Sequence, residues 1–291
     1  MTKTAALRSR AESLAEHLPD LMADAEHLAA TIMLGAHGRR RSGLGDEFWQ
    51  FRAAAAGDAA RLIDWRRSAR SDSNFVQEKE WQAAQSVLLW LDDGRSMDFA
   101  SDNNLPTKAD RAALLALAIS ILLIRAGERV ALASVDPRPR QGEIQLAQIA
   151  RGLCEPGDGT DYGIPDLGAP LANSRALFMS DFLGDIDAVT AQLTQAADRG
   201  VKGVLFQILD PQEEAFPFDG RTIFESIGRS VRHETLKAAD LRDRYLQRLA
   251  DRKDALSTLS RRTGWQYHCH HTSDTAQSAL LWIYSALEHA H

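Results

Sequence analysis

The stretch that decides the fold is SVLLWLDDGRSMDF, Ser86 to Phe99, in which an apolar run passes directly into aspartates, a glycine, an arginine and a serine. The run SVLLWL offers no polar face, as expected of a central parallel strand that helices cover on both sides. A second apolar run, RALFMS at 175–180, also ends at an acid, Asp181. The sequence therefore predicts buried strands whose carboxyl ends carry oxygen-bearing side chains.

Strands and helices alternate after Ser86. Thr107, with Asp110 three residues later, resembles a capping box and predicts a helix that continues through Ile124 and closes at Gly127. Further strands are predicted in RVALASV, VKGVLFQIL and WQYHCH, and further helices in DIDAVTAQLTQAADRG, at 236–262 and at 274–287. The segment at 136–174 is predicted to be irregular. This alternation predicts the α/β class, with a doubly wound, mostly parallel sheet.

The region before Ser86 has a different character. Leucines recur at helical spacing within residues 1–34, which predicts an amphipathic helix or a helix pair. Residues 35–81 are rich in glycine, arginine, acids and tryptophan without a sustained period, and they are predicted to be irregular. We expect a boundary between Glu80 and Ser86. The predicted domains are a helical and irregular extension at 1–83 and an α/β domain at 84–291.

Composition narrows the class of protein. The 291 residues are 44% hydrophobic and carry a formal net charge of −6, which is ordinary for a globular protein and argues against general nucleic-acid binding. The two cysteines, Cys154 and Cys269, have no metal-like spacing and indicate a reduced, intracellular environment. No secretory signal or apolar run of membrane-spanning length occurs. We therefore expect a cytoplasmic protein without a membrane span.

Oxygen-bearing side chains follow two of the predicted strands. In open α/β sheets, the loops after the carboxyl ends of the strands face one crevice. Asp92 follows the first strand, Asp181 follows the second, and the glycine-rich loop between them carries Thr160. Carboxylates and hydroxyls are the ligands that Mg²⁺ prefers. The sequence therefore predicts a cation site at this edge of the sheet.

The stretch DDGRSM resembles the D-x-S-x-S loop of von Willebrand factor A domains, whose metal-ion-dependent adhesion site adds a distant threonine and a distant aspartate. Gly94 stands where that motif has its first serine, and Arg95 adds a positive charge. The resemblance implies a von Willebrand factor A or Rossmann-like fold and a degenerate site for Mg²⁺, with Mn²⁺ or Ca²⁺ as alternatives, and it leaves open an empty site. The implied metal ligands are Asp92, Ser96, Thr160 and Asp181.

The upstream stretch SGLGDEFWQFRAAAAGDAARLIDWRRSARSDSNFVQEKE resembles a longer signature, that of the bacterial domain-of-unknown-function 58 family. That signature reads approximately G-x-G-x-E-F-x-x-x-R-x-Y-x-x-G-D-x-x-R-x-I-D-W-x-x-S-A-R, followed by E-x-E, and Ala54 replaces its tyrosine. The matching positions are Gly43, Gly45, Glu47, Phe48, Arg52, Gly57, Asp58, Arg61, Ile63, Asp64, Trp65, Ser68, Ala69, Arg70, Glu78 and Glu80.

Members of this family commonly accompany MoxR-type AAA+ ATPases. The resemblance therefore implies a noncatalytic, protein-binding adaptor with a chaperone-like role in assembly or maturation, whose partner is such an ATPase or its client. The candidate partner-binding residues are Asp93, Arg95, Arg52, Arg61 and Arg70. An internal network is the alternative role for the arginines, because guanidinium groups satisfy buried carboxylates bidentately.

Alternative interpretations of the sequence stay open. The four candidate ligands are also residue types that cap loops and helices. A metal-assisted phosphate hydrolase is the alternative enzyme class, with Asp93 as its ambiguous general base. Nucleic-acid binding through Arg39–Arg41 is a further alternative. The chain has no GxxxxGK[ST], GxGxxG, GxSxG or HExxH motif, so we expect no enzyme.

The histidine-rich stretch YHCHH offers soft metal ligands at His268, Cys269, His270 and His271. Adjacent residues of a strand point to opposite faces of a sheet and cannot easily share one ion. The sequence therefore predicts against zinc binding here.

Overall fold

The computed structural model describes residues 21–31, 41–43, 47–54, 63–69, 74–81, 84–155, 159–168, 172–225, 232–237 and 239–289. The chain divides into two compact units. The smaller unit spans Ala36–Ala84, and the larger unit consists of Met1–Gly35 together with Gln85–His291.

The smaller unit contains an antiparallel sheet in the order β1-β3-β2, with strands β1 (Arg41–Gly43), β2 (Glu47–Ala53) and β3 (Phe75–Trp81). A short helix, α2 (Trp65–Ser68), precedes β3. The prediction of an irregular segment here was wrong. The register of β2 shifts between Phe48 and Gln50, so the two-residue alternation that identifies a strand is interrupted.

The larger unit is built on a six-stranded sheet in the order β11-β8-β7-β4-β5-β6. Its pairs are parallel except for β5 with β6, which lies at one edge and is antiparallel. The α/β class and the mostly parallel sheet are confirmed. The strands are β4 (Ser86–Leu91), β5 (Arg129–Leu132), β6 (Asp136–Arg140), β7 (Arg175–Ser180), β8 (Lys202–Leu209) and β11 (Gln266–His271). A separate antiparallel pair joins β9 (Thr222–Glu225) to β10 (Arg232–Thr235).

Helices connect these strands. The predicted cap of helix α3 (Lys108–Arg125) is confirmed, because Thr107 Oγ1 accepts a hydrogen bond from the Asp110 N–H at 3.0 Å. Helix α4 (Glu143–Leu153) and strand β6 lie in the segment predicted to be irregular, where the two prolines of DPRPR obscure the strand. The helices are α1 (residues 21–30), α3 (Lys108–Arg125), α4 (Glu143–Leu153), α5 (Ile186–Asp198), α6 (Pro211–Ala215), α7 (Ala239–Thr263) and α8 (Ala276–His289), and a 3₁₀ helix covers Arg95–Asp98.

Two apolar clusters cover the two faces of the sheet. Helices α1, α3, α4 and α8 contribute to the first cluster, in which Leu28, Leu115 and Phe206 are buried. Helices α5 and α7 contribute to the second, where Phe178 packs edge-on against Trp265 with ring centroids 5.0 Å apart. Within the described residues, none of the helices combines the length and apolar character needed to cross a membrane.

Candidate functional site

The carboxyl edge of the larger sheet brings the loop after β4 against the glycine-rich loop. The Arg95 N–H donates to the Thr160 carbonyl at 2.8 Å, and the Ser96 N–H donates to the Asp161 carbonyl at 2.9 Å. Because the carboxyl ends of parallel strands share one edge, segments far apart in sequence meet here. Three of the predicted ligands therefore lie on two loops that are hydrogen-bonded to each other. Asp92 and Ser96 lie on the loop after β4, and Thr160 lies on the glycine-rich loop.

Asp92 joins three segments of the chain. Its Oδ1 accepts hydrogen bonds from the N–H groups of Gly94 and Gly163, each at 2.8 Å. Its Oδ2 accepts from Ser180 Oγ at 2.6 Å, where β7 ends. Burial, together with the nearby negative charge of Asp181, raises the pKa of Asp92 despite these hydrogen bonds. Asp92 is thus a buried carboxylate whose two oxygens are already occupied by donors.

Gly94 is required by the packing of these loops. Its φ of −65° is open to any residue, so the constraint is space rather than backbone conformation. A Cβ at position 94 would lie 2.7 Å from both Gly163 N and Tyr162 Cα. A Cβ at position 163 would lie 2.5 Å from Asp92 Oδ1. The serine of the resembling motif therefore does not fit here unless the glycine-rich loop moves.

Asp181 binds a cationic side chain of the protein itself. Its Oδ2 accepts from Lys108 Nζ at 2.8 Å, and its Oδ1 accepts from the Leu183 N–H at 2.9 Å. Lys108 Nζ also donates to Glu213 Oε1 at 2.6 Å. Burial opposes the charged form of Lys108, but the two carboxylates outweigh it and raise the pKa of this ammonium group.

Sequence reasoning missed Lys108 and Glu213. Lys108 is the first residue of α3, where a positive charge opposes the helix dipole, and this anomaly is the signal that could have identified it. Glu213 belongs to a capping box at α6, because its Oε2 accepts from the Asp210 N–H at 2.8 Å while Asp210 Oδ1 accepts from the Gln212 N–H. Glu213 therefore fixes the start of a helix with one oxygen and Lys108 with the other.

The donor set does not fit a divalent cation. One observation favours an ion, since Ser96 Oγ is buried and makes no hydrogen bond. Against it, position 94 has no hydroxyl, and a cation on Asp181 would share that carboxylate with the ammonium of Lys108. Two unit charges 4 Å apart repel by about 4 kcal/mol at an effective dielectric constant of 20, and a divalent ion doubles this term. Lys108 supplies the positive charge that Mg²⁺, Mn²⁺ or Ca²⁺ was expected to supply.

Of the five candidate partner-binding residues, the structure describes the side chains of two. Asp93 and Arg95 are exposed on the loop after β4, and we call the solvent-facing side of this carboxyl edge the mouth of the crevice. Arg52 lies in β2, and its side chain is outside the described structure. Arg61 and Arg70, and the arginines at 39 and 40 of the nucleic-acid hypothesis, lie outside the described residues.

A second polar cluster lies beside this crevice, at the end of β11. Glu214, Cys269 and His271 place one ligand atom each within 4.8 Å of one another. His268 and His270 point to the other face of the sheet, where both rings stack on Phe206. The expected alternation of the histidines is thus present, but Cys269 and His271, two residues apart, share a face.

Comparison with known proteins gives two structural relatives of low sequence identity. A conserved hypothetical protein, BatB from Bacteroides thetaiotaomicron, is 14% identical, with 70% of this chain and 98% of that chain covered and a TM-score of 0.40. An aerotolerance-related membrane protein from Bacteroides fragilis NCTC 9343, solved with multiple mutations to serines, is 13% identical with the same coverage of 70% and 98% and a TM-score of 0.42. No curated protein matches the sequence.

Comparison with protein families identifies the family of this chain. The sequence matches the family described as "Protein of unknown function DUF58" over residues 50–255. This range includes the predicted signature from Arg52 to Glu80 and most of the larger sheet. The family prediction made from that signature is confirmed, and the chain belongs to the DUF58 family.

Proposed function

We propose that this chain is a noncatalytic, protein-binding adaptor that binds its partner at the mouth of the crevice without a divalent cation. The binding surface, which we call the crevice rim, consists of Asp93, Arg95, Tyr162 and Ile164. The observation that carries the proposal is the exposure of two large apolar side chains at this mouth, 42% for Tyr162 and 63% for Ile164.

The composition of the crevice rim supports a protein partner. Exposed apolar residues that are flanked by charges are characteristic of protein interfaces, in which tyrosine and arginine are enriched. Asp93 and Arg95 provide charges of both signs beside Tyr162 and Ile164. The rim therefore suits a partner segment that presents an apolar side chain between polar or charged groups.

The rim rests on a fixed base, which favours binding. Asp92 holds the loops at Gly94 and Gly163 through its Oδ1, and the side chain of Tyr162 packs against Gly184. A surface that is ordered before binding loses less conformational entropy when its partner arrives. This base gives the rim a defined shape without a bound ion.

The ion pair beneath the rim favours the adaptor over the metal-assisted phosphate hydrolase. That chemistry requires a cation to polarise the phosphoryl group and activate water. Lys108 instead forms ion pairs with Asp181 and Glu213, and Asp92 accepts three hydrogen bonds. We further propose a MoxR-type AAA+ ATPase or its client as the partner, because members of the DUF58 family commonly accompany such ATPases.

A capture experiment tests this proposal. The immobilised full chain is incubated with the purified MoxR-type ATPase of the same genome, free of nucleotide so that chelation acts on the adaptor alone. We expect capture to be equal with EDTA and with Mg²⁺, and to fall at least tenfold in the double variant Tyr162→Ala, Ile164→Ser. The matched control is Ile144→Ser, at a position that is 79% exposed on α4 and outside the rim.

Each other outcome contradicts a separate part of the proposal. Capture that disappears with EDTA would refute metal-free binding. Undiminished capture by the rim variant would place the interface elsewhere on the chain. An ATPase that the wild-type chain never captures would exclude that partner.

A further inference from the structure

We propose that Glu214, Cys269 and His271 form a binding site for a zinc ion. This site differs from the crevice rim in position and in chemistry. The crevice offers oxygen ligands around a lysine, whereas this cluster combines a thiol, an imidazole and a carboxylate, the donor types that zinc prefers.

The fold places the three ligands on one side of β11. Residues two apart on a strand point to the same face, so Cys269 and His271 project together. Glu214 reaches them from α6, and its Oε2 contacts His271 Nε2 directly. In a tetrahedral zinc site, with bonds of about 2.0–2.3 Å, neighbouring donor atoms are about 3.5 Å apart. The three donor atoms lie within 4.8 Å of one another, so their largest separation exceeds this spacing by at most about 1.3 Å.

Charged groups lie beside two of the ligands. Lys253 donates to Glu214 Oε1, which leaves Oε2 directed at His271. Unlike the buried Lys108, the side chain of Lys253 is 23% exposed, so solvent screens its repulsion of a bound cation. Asp274 Oδ2 lies 3.8 Å from His271 Nδ1, the ring nitrogen away from Glu214. A carboxylate beside the second nitrogen of a ligating histidine is a common feature of zinc sites, where it fixes the ring and raises its basicity.

The charge and exposure of the cluster suit an exchangeable ion. Zn²⁺ binding displaces the proton of the Cys269 thiol to solvent, and the resulting thiolate and the Glu214 carboxylate then balance the two positive charges of the ion. All three ligand residues are partly exposed, so solvent reaches the cluster. Three protein ligands leave one tetrahedral position for water, the arrangement of an open site rather than a closed structural one.

Cobalt substitution on the full chain tests the site, since Co²⁺ reports both coordination geometry and bound thiolate. We expect one equivalent of Co²⁺ to give the visible bands of a tetrahedral ion and a thiolate-to-cobalt charge-transfer band, and Zn²⁺ to bleach both. Cys269→Ser should remove the charge-transfer band. Glu214→Gln and His271→Gln should each raise the zinc dissociation constant at least tenfold.

Matched controls come from the same chain. Cys154→Ser removes the other partly exposed cysteine, and His268→Gln removes the histidine on the opposite face of β11, so both should keep the wild-type spectrum. One equivalent of Zn²⁺ should raise the melting temperature of the wild-type chain but not that of Cys269→Ser. A wild-type spectrum without the charge-transfer band, or the same band in Cys269→Ser, would refute the site. If Cys269→Ser fails to fold, an unchanged zinc dissociation constant in Glu214→Gln would refute it instead.

Discussion

Lys108 Nζ lies 2.8 Å from Asp181 Oδ2, and both side chains are completely buried. A second bond, from the same nitrogen to Glu213, places a single ammonium between two carboxylates at the carboxyl edge of the sheet. Because removing one partner from a buried ion pair leaves an uncompensated charge, the stability of this edge depends on Lys108. At the site that was expected to bind a metal, Lys108 of α3 therefore supplies the positive charge.

Replacing the lysine tests this dependence. We expect Lys108→Met to lower the free energy of unfolding by about 3–5 kcal/mol, since Asp181 and Glu213 lose their shared counter-charge. Urea unfolding at pH 7 measures the change. Lys237→Met, at an exposed position, is the control and should stay within about 0.5 kcal/mol of wild type. A loss below about 1 kcal/mol in Lys108→Met would contradict the role of the ion pair.

The hydroxyl of Ser180 is expected to stabilise the crevice through two hydrogen bonds. It donates to Asp92 Oδ2 at 2.6 Å and accepts from the Phe182 N–H at 2.8 Å. Ser180→Ala leaves both groups without this partner, and we expect a loss of about 1–3 kcal/mol by chemical denaturation. Ser174, just before β7, is buried with no hydrogen bond at its hydroxyl. Ser174→Ala should therefore be nearly neutral, and equal losses in the two variants would contradict this account.

Restoring the motif serine should not restore a metal site. The Cβ of Gly94→Ser would meet the backbone of Tyr162 and Gly163, and overpacking of this kind costs about 1–3 kcal/mol. Gly94→Ala introduces the same Cβ without a hydroxyl, so we expect equal destabilisation in the two variants. Isothermal titration of Mg²⁺ should show no binding to wild type or to either variant. Magnesium binding by Gly94→Ser alone would instead show that the missing hydroxyl is what prevents coordination.

The buried ring of His270 makes stability depend on pH. Burial, together with Arg111, lowers the pKa of His270 from 6.5 to about 4. Arg111 Nη1 lies 3.0 Å from His270 Nε2, and because arginine only donates, this nitrogen is the acceptor of a neutral ring. The unfolded chain binds a proton below pH 6.5 whereas the folded chain does not, so stability falls as pH decreases from 6.5 towards 4.

Between pH 7 and pH 5 we expect His270 to reduce the free energy of unfolding by about 2 kcal/mol. Urea titrations at both pH values measure the drop in wild type and in His270→Gln, which keeps a polar side chain at this position but does not titrate. The drop should be smaller in the variant by that amount. An identical drop in the two proteins would show that His270 does not remain neutral in the fold.

The sequence predicted the features that local interactions determine and missed those that depend on contacts between distant residues. The bounds of β4 and β7 were predicted correctly because a strand buried on both faces is a continuous apolar run. The start of α3 was predicted correctly because helix capping involves residues close together in sequence. Lys108 pairs with residues 73 and 105 positions away, and no local pattern reports such a pair. Likewise, the approach of Glu214 to β11 depends on tertiary packing.

The edge strand β6 hinders strand pairing between copies of this chain. Its sequence DPRPR contains Pro137 and Pro139, which lack the N–H group that an incoming strand would need, and most of its residues face solvent. Unpaired strand edges otherwise act as templates for pairing between molecules, and prolines with exposed charges are a common protection. The sheet is therefore guarded on this side against intermolecular strand addition and the aggregation that follows from it.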